Sequence, residues 1–348
     1  MHHVQRRALV AGGAGFIGSH LCDRLLMEGM EIVCVDDLQT GSRANLVDCL
    51  DHPRFRFVEA DIAERLPRGA ASERYDEVYN LASAGSPLAY QADPEHTMMT
   101  NVVGTRQLLR LAEGSSARFL LTSTCEVYGD PGEHPQVETY CGNVNPVGPR
   151  ACHDEGKRAA ETLAADFDRQ GRVAVRIARV FNTYGPRLSS ADGRVVSNLI
   201  VQALTGRPLT VYGNGAQTRS FCYVDDLVDG LIRLMRHDGP QPGPVNLGNP
   251  AEISVLELAQ RIDALVDGHG VMVRLPLPQG DPHGRRPDIA KAARVLGWTP
   301  TTDLDAGLRA TIAWFAAAQA PADTAPHRPI DRAPIPAAAS SMAAGANA

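Results

Sequence analysis

His153 and Lys157 are the residues in this chain whose types and spacing most directly suggest chemistry. Four positions apart on a helix, they share one face a turn apart, where an ammonium can tune a neighbouring proton acceptor. A lone His/Lys pair at this spacing is ordinarily two polar groups on a solvated helix, so the surrounding sequence decides how it is read. A second constellation lies near the start of the chain. After the apolar run at 8–11, Gly12, Gly15 and Gly18 recur at three-residue intervals just where an amphipathic pattern begins. Such a turn needs residues without Cβ, lets backbone approach a pyrophosphate, and offers the free N–H groups of a helix N-terminus to its charge.

The next apolar run, EIVCVD, ends in Asp36. A carboxylate there accepts both hydroxyls of an adenosine ribose and repels a 2′-phosphate, so NAD is expected rather than NADP. Phe16, Ile17, Ile62 and Leu81 are expected to border the same cofactor. Asp61 carries two readings of equal weight: acceptor for the adenine amine, or cap of a helix starting at Ile62.

Short apolar strands (ALVAG, EIVCVD, FRFVEAD, EVYNLA, RFLLTS, VAVRIARV) alternate with longer amphipathic segments through residue 180. The alternation predicts an α/β fold: a Rossmann-type, doubly wound parallel sheet with crossover helices. Beyond residue 182 the pattern turns irregular, which fits a smaller C-terminal substrate lobe. The expected division is a cofactor domain over 1–182, joined by segments around 220–248, a lobe over 183–316, and an Ala/Pro-rich tail over 317–348 that reads as disordered.

The chain of 348 residues, 44% apolar and with net charge −6, can bury a full core. No apolar run approaches the roughly 20 residues of a membrane helix, no signal-peptide pattern opens the sequence, and no basic stripe suggests nucleic acid. Seven scattered cysteines without a CxxC pair argue for reduced thiols and against a disulfide scaffold or a zinc site. A soluble cytoplasmic enzyme without a metal is expected.

With the glycine motif, NLA at 80–82, TSTCEVYGDP at 122–131 and HDEGK at 153–157 in hand, the chain resembles the extended short-chain dehydrogenase/reductases, and among them the UDP-glucuronate decarboxylases, or UDP-xylose synthases. RVFNTYGPR, LTVYGNGAQTRSFCYVDDLVDGL and GRRPDI extend the likeness from about residue 8 to 315. The resemblance implies a retained NAD, oxidation of the sugar at C4, loss of carbon dioxide from the resulting 4-keto acid, and possible return of hydride.

By position it implies that His153 and Lys157 stand at the catalytic pair, with His153 where the family carries Tyr. Glu126 would assist proton transfer at C5 or position a water or carboxylate, and Cys125 replaces a Ser or Thr at the reacting hydroxyl. Arg285 would reach the glucuronate carboxylate or a phosphate. Asn182, Arg187 and Arg219 would hold the diphosphate and nucleoside, Tyr212 the nucleoside, and Tyr90 the substrate. Cys141 stands for a Trp, and Ala84 and Gly85 alter a turn; these changes are expected to gather in the pocket wall. Helices near 94–113 and 150–168 imply a homodimer. Two alternatives stay open: a 4-epimerase, dehydratase or 4-keto-sugar former, and a silent nucleotide-sugar-binding subunit.

Asp36→Ala is expected to weaken NAD binding markedly while the wild type prefers NAD to NADP. Equal affinity of the wild type for both, measured by titration calorimetry, would overturn this reading of Asp36.

Overall fold

The structure is a computed structural model and describes residues 5–268, 270–276 and 284–319. From residue 320 onward, the tail expected to be disordered lies outside the described residues.

Six of the apolar runs form strands β1 (Arg7–Ala11), β2 (Glu31–Asp36), β3 (Phe55–Glu59), β4 (Glu77–Asn80), β5 (Arg118–Thr124) and β6 (Ala174–Val180). With a seventh strand, Pro244–Leu247, they build a parallel sheet in the order Pro244–Leu247, β6, β5, β4, β1, β2, β3. Helices cover both faces, so strand residues such as Leu9, Val10, Val33 and Leu120 are fully or nearly fully buried. This explains why these runs read as continuous rather than alternating apolar stretches. The winding reverses at β1, which pairs with both β2 and β4. Reversal opens a crevice beyond the carboxyl ends of these strands, the position where doubly wound sheets bind ligands.

The chain returns to this sheet late. Helix Val224–Arg236 packs against β5, β6 and the first helix, Phe16–Met27, and leads into Pro244–Leu247 beside β6. A separate core forms around Tyr184, Leu199, Ile200, Leu258, Ile262, Leu308 and Phe315. Its sheets are small: Leu209–Tyr212 with Met272–Leu275, and Thr218–Ser220 between Glu252–Ser254 and Gly284–Arg285.

Helix Ala151–Arg169 carries the catalytic candidates, and its burial follows helical spacing: His153, Asp154, Gly156, Lys157, Ala160, Ala164 and Phe167 face inward. At Gly156 a Cβ would press on the Asn101 side chain at 3.2 Å, a contact tight enough that this neighbour would have to shift. One turn beyond Lys157, Glu161 takes a two-pronged ion pair from Arg179 of β6 at 2.9 and 2.8 Å and a hydrogen bond from Ser123 of β5 at 2.5 Å. Both charged side chains are largely buried, 13% and 12% exposed. The pair therefore pins the helix to the two strands whose ends build the site.

Glu161→Ala leaves Arg179 without its carboxylate in a largely dry setting. A loss of about 3 kcal/mol in unfolding free energy is expected from denaturant titration. A loss below about 0.5 kcal/mol would show that water replaces the pair.

Candidate active site

The crevice at the sheet reversal is a cleft of about 540 Å³ whose lining includes Gly12, Gly15, Phe16, Ile17, Gly18, Asp36, Ile62 and Leu81, and also Ala84, Gly85, Ser86, Thr122 and Arg187. Its glycines have different causes. Gly12 lies at φ +77°, and a Cβ would meet the backbone nitrogen of Ala82 at 2.6 Å; at Gly18 it would meet the carbonyl of Gly12 at 2.1 Å. Those two are forced by the turn and by helix packing. At Gly15 a Cβ would meet only the Gly12 carbonyl, at 3.2 Å, so the room kept there faces the cleft. Gly15 also caps helix Phe16–Met27 without a side-chain bond, leaving the helix N–H groups available to an anion.

Asp36 ends β2 at the cleft and is 7% exposed; it accepts from the backbone N–H of Ala14 and of Leu38, both at 2.9 Å. Burial raises its carboxyl pKa, which those N–H bonds partly oppose. The glycine cradle, free helix end and strand-end carboxylate together fit a dinucleotide.

Asp61 corrects one expectation. No helix starts at Ile62; Asp61 instead accepts from Ala63 N–H at 2.7 Å in a bend, and its other oxygen lies 2.9 Å from His96 Nε2. With Asp37 3.8 Å from the same nitrogen, the three form a carboxylate–imidazole group. Burial opposes the charge on His96, yet the Asp61 hydrogen bond and the two carboxylates outweigh it and raise its pKa.

Beyond the cleft, a second cluster gathers at the end of β5. Lys157 donates to the carbonyl of Thr122 at 2.8 Å, linking the cluster to the cleft that Thr122 lines. Burial lowers the Lys157 pKa to about 8, with Glu161 opposing. His153 is 4% exposed and stacked on Tyr90, ring centroids 5.0 Å apart and planes 14° from parallel. The Tyr90 hydroxyl is buried and without a hydrogen-bond partner. Glu126 takes Arg150 at 2.6 Å and Arg285 at 2.8 Å on one oxygen. Burial raises its pKa, but the two guanidiniums outweigh that and hold it at about 2. Burial and the neighbouring Glu126 push the Cys125 thiol up to about 12.

Arg285 is 2% exposed, and its Nε and Nη1 are buried with no partner. It lies in register beside Arg219, which donates from Nη1 to the Thr218 carbonyl at 2.8 Å. Asn182 offers its backbone carbonyl to Cys222 at 2.9 Å, and Tyr212 is 37% exposed at a strand end. Arg187 lines the cofactor cleft, its guanidinium held by Asp23 at 2.6 Å and Asp48 at 2.9 Å. Cys141 is exposed, next to Gly142, which lies at φ +89° and where a Cβ would meet the Val127 carbonyl at 2.4 Å. Arg150 was not singled out in the sequence; its signal was a cation three residues before the first inward-facing position of the helix, His153.

The model of the NAD dependent epimerase/dehydratase family matches residues 8–248. The chain belongs to that family. It is 52% identical over 302 residues to UDP-glucuronic acid decarboxylase 4 of Arabidopsis thaliana, covering 87% of this chain and 67% of that protein. With UDP-glucuronic acid decarboxylase 6 of the same plant it shares 52% over 303 residues, covering 87% of this chain and 86% of that one. Among solved structures of the family, UDP-glucuronic acid 4-epimerase from Bacillus cereus, in complex with UDP-glucuronic acid and NAD, superposes with a TM-score of 0.80 at 28% identity. That superposition covers 90% of this chain and 99% of the epimerase.

Without ligand, Lys157 is expected to titrate near pH 8, against the ordinary 10.5, in an NMR titration of its side-chain carbon. The unfolded chain holds more protons between those values, so this group's contribution to stability rises with pH across that window. A midpoint at 10 or above would show that water reaches the ammonium.

Proposed function

We propose that the chain is an NAD-dependent nucleotide-sugar decarboxylase acting on UDP-glucuronate or a close analogue. The observation that carries this is Arg285: a buried guanidinium with two unpartnered donors, beside an ionised Glu126, suits the planar carboxylate of a uronic acid. The decarboxylase relatives at 52% identity support the same substrate.

When bound, NAD supplies a hydride acceptor at the sugar C4 and a donor for its return. In this reading His153 Nε2 takes the C4 hydroxyl proton and becomes a cation, while Lys157, held at the Thr122 carbonyl, stabilises negative charge on the C4 oxygen as the proton leaves. Formation of the 4-keto group makes the C6 carboxylate that of a β-keto acid, so the electron pair released with carbon dioxide is accepted by the ketone. Glu126, ionised down to about pH 2, serves as an acceptor that orients Arg285 and a water near C5. Cys125 remains a neutral thiol at working pH and offers only a weak S–H donor beside the reacting hydroxyl. Tyr90 walls the sugar site. Asn182, Arg187, Arg219 and Tyr212 take the nucleoside diphosphate, with residues 183–316 as its lobe. Gly12, Gly15, Phe16, Ile17, Gly18, Asp36, Asp61, Ile62 and Leu81 hold the dinucleotide.

His153 in place of the family's Tyr is the distinctive part of the proposal. Imidazole reaches roughly 2 Å less far than a phenol oxygen, enough to cost about a hundredfold in rate if nothing else moved. Its face-to-face packing on Tyr90 supports a pocket rebuilt around imidazole rather than a damaged one. A homodimer is part of the same reading, supported by the packed helices Pro94–Met99, Thr105–Ser115 and Ala151–Arg169 and by the 40% exposed Met99. So is a cytoplasmic setting: the seven cysteines are free thiols. Among the described residues no helix is long and apolar enough to cross a membrane.

Purified protein given NAD and UDP-glucuronate is expected to release carbon dioxide, with product mass showing whether the pentose leaves reduced or as the 4-ketone. His153→Tyr is expected to lower turnover about tenfold or more. A tenfold gain would mean a weakened Tyr-type enzyme, an epimerised uronate would favour the 4-epimerase, and no turnover in either form with NAD bound would favour a binding subunit.

A further inference from the structure

Asp154 follows His153 on the same helix and has no task in the reaction set out above. Its side chain is only 8% exposed. A buried carboxylate is costly unless a donor meets it. Among the described residues, the side-chain hydrogen bond of Asp154 runs from its Oδ1 to His153 Nδ1, at 3.3 Å. An ionised carboxylate only accepts, so Nδ1 carries the hydrogen and, in the neutral ring, Nε2 carries the lone pair.

The other groups facing this ring set the charge problem. Tyr90 covers one face. Lys157 lies one turn along the helix, and Arg150 and Arg285, both paired with Glu126, are also close enough to feel the charge of Asp154. Glu126 bonds those two arginines and acts on His153 only through space, and Cys125 and Cys152 are neutral thiols whose pKa values burial raises. Of the carboxylates here, Asp154 is the one in direct contact with the ring that must become a cation.

We infer that Asp154 is a positioning residue for His153: it fixes the Nδ1–H tautomer, aims Nε2 at the sugar hydroxyl, and offsets the positive charge once Nε2 has taken the proton. The inference rests on the proposed role of His153 as base. In that step the hydroxyl O–H bond breaks, an Nε2–H bond forms, and the C4–H electron pair leaves as hydride to the bound dinucleotide, leaving a neutral ketone and an imidazolium. An orienting carboxylate on the far nitrogen of a base histidine is physically general. Its sign depends on the base: a phenolate starts anionic and ends neutral, so a carboxylate beside it gives no help.

The test uses the full-length protein with NAD, as wild type, Asp154→Asn and Asp154→Glu, each also in the His153→Tyr background. Expected for Asp154→Asn are a fall in kcat of about tenfold or more, a KM within about threefold, unchanged NAD content and melting temperature, and recovery of most of kcat in Asp154→Glu. In the His153→Tyr background the same Asp154→Asn change is expected to cause no loss. Nitrogen-15 NMR of labelled histidine, assigned by the signal missing in His153→Tyr, is expected to show Nδ1 protonated and Nε2 bare in the wild type, with a tautomer mixture in Asp154→Asn. An Nε2–H tautomer in the wild type overturns the inference, as does an equal kcat loss in both backgrounds. If the wild type releases no carbon dioxide, the proposed function fails, while the tautomer still supports or overturns the role of Asp154.

Discussion

Charge carried into the interior on one face of helix Ala151–Arg169 is the constraint on which the rest of the structure depends. His153, Asp154 and Lys157 are buried and Glu161 is largely so, in a setting where unpaired charges are expensive. Each finds a partner that also fixes geometry: Lys157 the Thr122 carbonyl, Glu161 the Arg179 and Ser123 side chains, Asp154 the His153 ring. The polar contacts that satisfy the helix are the same ones that hold its reactive groups against the end of β5. A helix with an apolar inner face would dock as well and could do no chemistry.

The site has two halves with different physics. The cofactor cleft is built from backbone: glycines where a Cβ would strike other main chain, a bare helix start, and a strand-end carboxylate. The second cluster is built from side chains converging from the turn after β5, the Ala151–Arg169 helix with the residue before it, and the strand Gly284–Arg285. Thr122 joins them, lining the cleft while its carbonyl fixes Lys157. Glu126 balances two guanidiniums, so a third group approaching Arg285 meets a cation whose charge is shared but whose Nε and Nη1 remain open. That arrangement favours a carboxylate that brings its own planar pair of oxygens.

The sequence by itself determined the sheet, the cofactor loop and the helical spacing of His153 and Lys157, because these follow from local periodicity and from turns that only glycine can make. It could not settle Asp61, whose contact with His96 depends on a segment 35 residues away, nor show that Cys141 is exposed. It also left Arg150 and Asp154 unremarked, since a charge beside a motif has no meaning until its neighbours are known. Only the tertiary structure decided that Arg285 and Glu126, 159 positions apart, form one ion pair, and that Tyr90 stacks on a ring 63 positions later, from residue 90 to residue 153. The physical reason is that desolvation and pairing are properties of a place in the fold, assembled from distant strands, and no local pattern encodes them.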